Sequence, residues 1–310
     1  MLGIDNIKQL FKGEIFENEI LSKRTWYQIG GPCEYYCIPD DLDDLKRLVD
    51  YCEGNGFEYF ILGKGSNLLI CDRGVKGFVI DLSKASSFTN IEGSSITAGA
   101  GCYMPKIVLE CEKAGLGGIE MFAGIPGTVG GAIKMNAGCH GKEMFDVLTK
   151  VTIMKHGEIQ TILKEHIKFG YRHVETFEDS AIVILAGTMC LEKANQETLT
   201  ERRKGFMKKR QETQPIHLPS SGSVFKNPMN DHAARLIDRC GLKGFTIGKA
   251  SVSTKHANFI VNEGGAKASD VLSIINKVRE TVFEQFRVTL ELEVKLVGFS
   301  SDELKNLKAS

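Results

Sequence analysis

One glycine-rich segment, Gly124–Gly141, limits the possible fold more than any other part of the chain. It reads GIPGTVGGAIKMNAGCHG, and Pro126 fixes one of its turns. Each glycine costs roughly 0.5–1 kcal/mol relative to alanine inside a helix or strand, because folding must remove its extra backbone freedom. The segment is therefore predicted to be neither an ordinary helix nor an ordinary strand. Its glycines are expected to bring backbone N–H groups close to a bulky anion.

A second segment, Leu62–Ile70, has the same character and reads LGKGSNLLI. We call Leu62–Ile70 the first cradle and Gly124–Gly141 the second cradle. The first cradle lacks the spacing of a Walker loop, and the chain has no GxGxxG dinucleotide motif. A strand–turn–strand whose amides bind a pyrophosphate is one interpretation, and a plain tight turn is the other. The two cradles together favour one large phosphate-bearing cofactor held from two sides.

Composition excludes several classes of protein. The 310 residues carry 39 basic and 39 acidic side chains, so bulk charge predicts neither a nucleic-acid nor an anionic-membrane partner. No apolar run approaches the roughly 18 residues that would indicate a membrane-spanning helix, and the start of the chain lacks the apolar region of a secretory signal. The nine cysteines include no CxxC pair, and no cysteine or histidine pair has zinc spacing, so no metal site is expected. We expect reduced thiols and a cytoplasmic location.

Hydrophobic periodicity and turn residues predict alternating helices and strands, which is typical of an α/β or α+β chain. The predicted helices are Asp40–Gly56, Pro105–Ala114, Glu197–Gln214, Asp231–Cys240 and Ala268–Phe286. The predicted strands are Glu58–Leu62, Leu68–Cys71, Gly77–Leu82, Ser95–Ala100, Ala181–Leu191, His256–Asn262 and Leu290–Val297, with a hairpin formed by Lys150–Lys155 and Glu158–Leu163.

The motifs, taken together, resemble the UDP-N-acetylenolpyruvoylglucosamine reductase family, within the wider class of FAD proteins related to vanillyl-alcohol oxidase. The matching blocks occur in the family's order from about residue 20 to the last strand. They are TWYQIGGP at 25–32, the two cradles, GYR at 170–172, PSSGSVFKNP at 219–228, GLKG at 241–244, VSTKH at 252–256 and LELEV at 290–294.

This resemblance implies an α+β fold with a two-lobed FAD-binding region and a C-terminal α+β substrate-binding domain. The expected boundaries are 1–80 and 81–210 for the two lobes, 211–298 for the substrate domain and 299–310 for a tail. The short interval between Arg172 and Ser223 indicates the subgroup that lacks an inserted tyrosine-bearing loop.

The resemblance also implies the reaction. NADPH gives a hydride to FAD, and the enolpyruvyl ether of UDP-N-acetylglucosamine then receives hydride at its vinyl carbon and a proton at the carbon bearing the carboxylate. Carried over by motif, Arg172 and Glu293 would stabilise the charge that develops on the carboxylate. Ser223 of the GSVFKNP block would donate the proton.

The resemblance assigns two further groups of residues. Its cofactor-binding residues are Ile29, Gly30, Gly31, Gly63, Lys64, Gly65, Ser66, Asn67, Leu68, Gly124, Pro126, Gly127, Thr128, Gly130, Gly131, Asn136, Ala137 and Gly138. Its substrate-binding residues are Tyr171, Lys226 and Asn227. The expected partners are NADPH and a UDP-sugar, with a monomeric chain and no nucleic-acid or membrane partner.

Alternatives stay open for single residues and for the whole chain. Alone, Arg172 fits a surface ion pair, Ser223 a turn, and Glu293 the solvated face of an alternating strand. Another flavin oxidase of the same fold, such as one acting on a sugar lactone, is the enzymatic alternative. A non-catalytic nucleotide-binding protein is the other.

Overall fold

A computed structural model describes residues 11–305 of the chain. The chain divides into two compact units. The first unit holds the described residues up to Glu17, then Tyr35–Gly63 and Gly77–Lys209, and the second holds Asn18–Glu34, Lys64–Lys76 and the described residues from Arg210 onward. Each unit contains its own cluster of buried apolar side chains. The predicted division at residues 80 and 210 remains a prediction.

Helices in the first unit are short apart from the first and the last. They are α1 (Leu42–Asn55), α2 (Met104–Lys113), α3 (Val129–Lys134), α4 (Met144–Val147) and α5 (Gln196–Thr213), whose last residues belong to the second unit. The α1 helix begins where Asp41 accepts a hydrogen bond from the Asp44 amide, and it ends at Gly56 in the left-handed conformation. Both ends follow the sequence prediction.

The strands of the first unit form two larger sheets and several two-stranded ladders. The strands are β1 (Glu14–Ile20), β2 (Pro32–Ile38), β3 (Tyr59–Ile61), β5 (Val75–Ile80), β6 (Thr89–Glu92), β7 (Ser95–Gly99), β8 (Leu116–Gly117), β9 (Gly138–Cys139), β10 (Lys142–Glu143), β11 (Leu148–Lys155), β12 (Glu158–Leu163), β13 (Phe169–Gly170), β14 (His173–Val174), β15 (Ile182–Cys190) and β16 (Glu192–Lys193). One sheet has the order β1-β2-β5-β3 and the other β12-β11-β15-β7-β6. Strands β1, β2 and β5 each extend by two or three residues into the second unit. The antiparallel pairing of β11 with β12 confirms the predicted hairpin.

The second unit is smaller and is built around one long helix. Its helices are α6 (Ala233–Arg239) and α7 (Ala268–Phe286), and its strands are β4 (Leu68–Ile70), β17 (Thr246–Ile247), β18 (Ala250–Val252), β19 (Ile260–Asn262) and β20 (Lys295–Val297). Strands β17, β18 and β19 form one antiparallel sheet, and β20 pairs in parallel with β4. The α7 helix has the predicted bounds because apolar residues recur along one face and are buried.

Three local predictions are wrong. The second cradle does contain a helix, α3, whose N-cap residue Thr128 accepts a hydrogen bond from the Gly131 amide at 3.3 Å. The predicted strand 290–297 is regular only from Lys295, and the strand 256–262 only from Ile260. In both strands the apolar alternation is present, but the first residues pair with loops, which periodicity does not reveal.

Three further observations concern expected absences. Among residues 11–305, no helix is long and apolar enough to cross a membrane. Within the same range, no group of three or more histidine, cysteine, aspartate or glutamate side chains could hold a metal ion. All nine cysteines are free thiols, and most of them are buried.

Candidate functional site

The two predicted cradles meet in the first unit at Gly63 and Thr128. A Cβ atom added to Gly63 would lie 2.6 Å from Thr128 Oγ1, so only glycine lets these segments approach so closely. The second cradle is fastened to the loop after β7, where Val129 donates to the Cys102 carbonyl and Gly130 to the Ala100 carbonyl, both at 2.9 Å. The end of the first-unit part of the first cradle therefore lies against Thr128, the N-cap residue of α3.

Several of the predicted cofactor-binding glycines are explained by the protein's own packing. A Cβ at Gly130 would lie 2.8 Å from Ala100 Cβ. Gly65 has φ +58°, and its added Cβ would lie 2.8 Å from Thr25 Cα. A Cβ added to Gly31 would clash with the Asp72 carbonyl, and Gly30 has φ +141°, which residues other than glycine rarely adopt. A ligand is therefore not needed to explain glycine at these four positions, and for the cradle residues Gly65 and Gly130 this opposes the argument from the sequence.

Gly131 differs from these glycines. It is exposed, and a Cβ added there would meet one atom outside its own helix, Thr128 Oγ1 at 3.5 Å. That distance is ordinary van der Waals contact, so packing leaves room for a side chain. An exposed glycine backbone of this kind fits close approach by a large group such as the flavin nucleotide.

Arg172 lies at the tip of the two-residue hairpin between β13 and β14, in the left-handed conformation with φ 54°. Its Nη2 donates to the Gly138 carbonyl at 2.5 Å, and its Nη1 to the Asn136 carbonyl at 3.4 Å. Its guanidinium carbon lies 4.9 Å from the centre of the Tyr171 ring, which is itself exposed. The predicted catalytic arginine thus rests on the end of the second cradle.

Sequence reasoning missed Glu143, whose Oε1 lies 3.5 Å from Arg172 Nη1. The sequence gives little indication of Glu143, because the residue lies outside the second cradle and belongs to a two-residue strand that no periodicity predicts. Its register partner in the β9–β10 ladder is Gly138, which places the carboxylate beside the guanidinium.

In the second unit, Ser223 and Glu293 lie on adjacent chain segments. The Glu293 amide donates to the Val224 carbonyl at 2.9 Å, and Phe225 forms an antiparallel bridge with Leu292. Ser223 and Glu293 are both half-buried. The structure therefore places the segments that carry two of the three predicted catalytic residues side by side.

Asn258 fixes the Ser223 loop and was also missed. Its side chain accepts from the Phe225 amide at 2.9 Å and donates to the Phe225 carbonyl at 2.8 Å, while its carbonyl accepts from Val224. The side chain is buried, so these bonds form without competition from water. A polar residue inside the apolar stretch ANFIV was the signal in the sequence.

Three other predicted residues of the second unit, Asn67, Lys226 and Asn227, contact protein groups of that unit. Asn67 donates to the Glu293 carbonyl at 3.1 Å and accepts from the Lys295 amide at 3.0 Å, which joins the first cradle to the Glu293 segment. Lys226 lies 3.3 Å from the Glu291 carboxylate, and Asn227 accepts from the Ala233 amide at the start of α6.

His256 is the histidine of the VSTKH block, and its environment favours the neutral ring. Burial lowers its pKa, and its Nδ1 has no hydrogen-bond partner among the described residues. The ring lies edge-on to Phe259, with 4.8 Å between centroids. These contacts assign His256 no role in proton transfer.

The predicted site residues are divided between the two units. Those of the first unit are Gly63, Gly124, Pro126, Gly127, Thr128, Gly130, Gly131, Asn136, Ala137, Gly138, Tyr171 and Arg172. Those of the second unit are Ile29, Gly30, Gly31, Lys64, Gly65, Ser66, Asn67, Leu68, Ser223, Lys226, Asn227 and Glu293. In the first unit, the contacts given above join Gly63 to Thr128 and Arg172 to the end of the second cradle. In the second unit, they join the segments of Asn67, Ser223 and Glu293.

Two protein families match parts of the chain. Residues 33–162 match the FAD binding domain, and residues 214–297 match the UDP-N-acetylenolpyruvoylglucosamine reductase C-terminal domain. The predicted fold class, an α+β FAD-binding region followed by a C-terminal domain of this kind, is confirmed.

Curated relatives and a solved structure extend the likeness over nearly the whole chain. A UDP-N-acetylenolpyruvoylglucosamine reductase of Halalkalibacterium halodurans is 38% identical over 95% of this chain and 98% of its own length. One from Bacillus subtilis is 37% identical with the same coverage. The crystal structure of UDP-N-acetylenolpyruvylglucosamine reductase from Thermus caldophilus matches with a TM-score of 0.79 and 34% identity, over 92% of this chain and 99% of that one.

Proposed function

The chain belongs to the UDP-N-acetylenolpyruvoylglucosamine reductase family, and we propose that it catalyses the reaction for which the family is named. Its substrate is the enolpyruvyl ether of UDP-N-acetylglucosamine, its reductant is NADPH and its product is UDP-N-acetylmuramate, a precursor of peptidoglycan. The observation that carries this proposal is the C-terminal domain match at 214–297, which contains Ser223 and Glu293 on adjacent segments.

The residues of the second cradle suit FAD. Gly131 presents open backbone beside Thr128, and Gly63 approaches the same threonine. We assign the cofactor to these residues and to the other predicted positions of the two cradles. When bound, FAD accepts hydride from NADPH and supplies hydride to the substrate.

Arg172 is the proposed partner of the substrate carboxylate. Hydride addition to the vinyl carbon moves electron density onto the carbon that bears the carboxylate, and from there onto the carboxylate oxygens. A planar guanidinium offers two parallel N–H donors to such a group and keeps its charge at any physiological pH. Glu293 is proposed to act with Arg172 at the same carboxylate.

Ser223 is the proposed proton donor. The hydride and the proton together add two hydrogens across the carbon–carbon double bond, one at the vinyl carbon and one at the carbon beside the carboxylate. A serine hydroxyl is a weak acid in water, so it must be held beside the electron-rich carbon and away from solvent. Asn258 supports that role by fixing the backbone of Val224 and Phe225, the residues that follow Ser223.

The remaining residues complete the proposal. Tyr171, Lys226 and Asn227 are assigned to the UDP-sugar, and the enzyme is proposed to work as a cytoplasmic monomer. Tyr171 is exposed beside Arg172, and Lys226 and Asn227 follow the Ser223 loop directly. These positions border the residues assigned to the reaction.

Product analysis tests the proposal. Purified protein should be yellow and should oxidise NADPH when given the enolpyruvyl substrate, and mass spectrometry should find a product heavier than the substrate by two hydrogens. NADPH oxidation that does not depend on the enolpyruvyl substrate would contradict the proposal. Oxygen consumption with a sugar lactone would support the alternative oxidase, and a colourless protein unable to bind FAD would support a non-catalytic protein.

A further inference from the structure

The Arg172 hairpin is held in one conformation by two side chains: Glu143, to which no function is yet assigned, and Asn136, which is so far assigned only to the cofactor. Arg172 is a non-glycine residue with φ 54°, a strained backbone conformation that the surrounding structure must stabilise. The carbonyls of Asn136 and Gly138 accept from the guanidinium on one side. Glycine is required at 138 because a Cβ there would clash with the backbone carbonyl oxygen of Lys142, the neighbour of Glu143 in the β9–β10 ladder.

The Asn136 side chain connects the segment that carries these carbonyl groups to the hairpin itself. Its side-chain amide donates to the Gly170 carbonyl at 3.0 Å, and its Oδ1 accepts from the Phe145 amide at 3.1 Å. Asn136 is fully buried and has φ 42°. The side chain therefore faces protein groups, and Gly170 is the residue that immediately precedes the hairpin tip.

Glu143 links Asn136 to the arginine. Its Oε2 accepts from the Asn136 amide at 2.8 Å, while its Oε1 lies 3.5 Å from Arg172 Nη1. The two oxygens of one carboxylate thus bridge the buried amide and the guanidinium. The arginine side chain keeps 15% of its surface exposed, which leaves it accessible to a ligand.

From these contacts we infer that Glu143 and Asn136 are positioning residues that orient Arg172 toward the carboxylate of the substrate, an inference that rests on the proposed function. A free arginine side chain has many rotamers and loses much of that freedom when it binds a ligand. The bridge removes part of that freedom before the substrate arrives, so less binding energy is lost in ordering the guanidinium.

The inference predicts a defect that is specific for the carboxylate. Glu143→Gln keeps an oxygen that can accept from Asn136 but loses the ion pair, and Glu143→Ala loses both contacts. Each is expected to weaken binding of the enolpyruvyl substrate to the oxidised holoenzyme, by about 10-fold for glutamine and up to about 10²-fold for alanine, because a guanidinium that must be ordered on binding gains less from its charge-assisted hydrogen bonds to the carboxylate. Binding of UDP-N-acetylglucosamine, which lacks the carboxylate, is expected to stay within about 2-fold of the unmutated protein.

Isothermal titration calorimetry with the two ligands and no NADPH measures this difference without turnover. Glu178→Gln is the matched control, because Glu178 lies near the same hairpin and pairs with His173 at 3.6 Å; it should change neither affinity. Asn136→Ala should reproduce the selective loss, and if it fails to retain FAD the Glu143 variants decide. Equal affinities in Glu143→Ala and the unmutated protein, or equal weakening of both ligands, would overturn the inference. An unmutated protein that binds the substrate but forms no reduced product would instead overturn the proposed function.

Discussion

Adding one methyl group at either of two neighbouring glycines, Gly130 or Gly131, should separate fold stability from FAD binding. Both residues lie in α3, so the chemical change and the local backbone are matched. A Cβ at Gly130 would lie 2.8 Å from Ala100 Cβ and 3.2 Å from the Ala100 oxygen, whereas one at Gly131 would lie 3.5 Å from its single neighbour. The two variants therefore differ mainly in what the methyl group meets.

The magnitudes follow from those distances. Carbon atoms pack at about 3.5–4.0 Å, so Gly130→Ala forces a shift of Ala100 and costs about 1–3 kcal/mol of overpacking. Replacing glycine by alanine inside a helix increases the free energy of unfolding by up to about 1 kcal/mol, because alanine has the higher helix propensity. We expect Gly130→Ala to lose roughly 1–2 kcal/mol of unfolding free energy, and Gly131→Ala to lose none. If FAD covers Gly131, the methyl group should weaken FAD binding by about 10-fold or more, equivalent to about 1.4 kcal/mol.

Two assays are needed for this pair. Urea unfolding of the flavin-free proteins, followed by circular dichroism, compares their stabilities, and fluorescence quenching of added FAD gives the dissociation constants. Unchanged FAD affinity in Gly131→Ala would refute the placement of the cofactor at this glycine. Unchanged stability in Gly130→Ala would refute the packing argument. Gly65→Val is a poorer probe, because Thr25 backbone atoms would clash whether or not FAD is bound.

Three other substitutions have expected outcomes. Ser223→Ala should leave flavin reduction by NADPH nearly intact and slow reoxidation by the enolpyruvyl substrate at least ~10²-fold in stopped-flow traces. Ser223→Cys should recover part of the reoxidation rate, because a thiol is a stronger acid than a hydroxyl group. Equal slowing of both steps would show that the serine has a structural role. Arg172→Lys should impair the same reoxidation step, since an ammonium group cannot reproduce the planar fork, and near-normal reoxidation would refute its role. Asp44→Asn should cost about 3–5 kcal/mol in urea unfolding at neutral pH, because the fully buried carboxylate accepts from the amides of residues 12, 13 and 40 and pairs with Arg47 at 3.0 Å. Burial alone would raise the pKa of Asp44, but these bonds outweigh it and hold the pKa below its ordinary value. The stability difference should thus be full above the unfolded-state pKa and become smaller as pH falls through the lower folded-state pKa, and a pH-independent difference would contradict this.

Elements with a strong local signal were predictable from the sequence. The α1 helix has a capping aspartate, one apolar face and a terminal glycine, and each of these acts within a few residues. The α7 helix and the β11–β12 hairpin follow from periodicity and a two-residue turn in the same way. Their bounds agree with the structure because no distant contact opposes the local preference.

The remaining features depend on contacts between residues far apart in sequence. The α3 helix contains two glycines, and one of them, Gly130, is explained by its close approach to Ala100, which local propensity cannot reveal. Glu143 and Asn258 were missed for a related reason: each acts on a backbone or side chain more than about twenty residues away. The motif resemblance predicted Arg172, Ser223 and Glu293 as catalytic residues, but only the structure identifies the side chains that hold their segments in place.

Anaerobic stopped-flow absorbance tests the central claim most directly, because it separates the two steps that the proposed reaction requires. NADPH should bleach the flavin absorbance of the purified protein, and subsequent addition of the enolpyruvyl ether of UDP-N-acetylglucosamine should restore the oxidised spectrum without oxygen. UDP-N-acetylglucosamine is the control and should restore nothing. A flavin that NADPH bleaches but the enolpyruvyl substrate leaves reduced would contradict the proposed function.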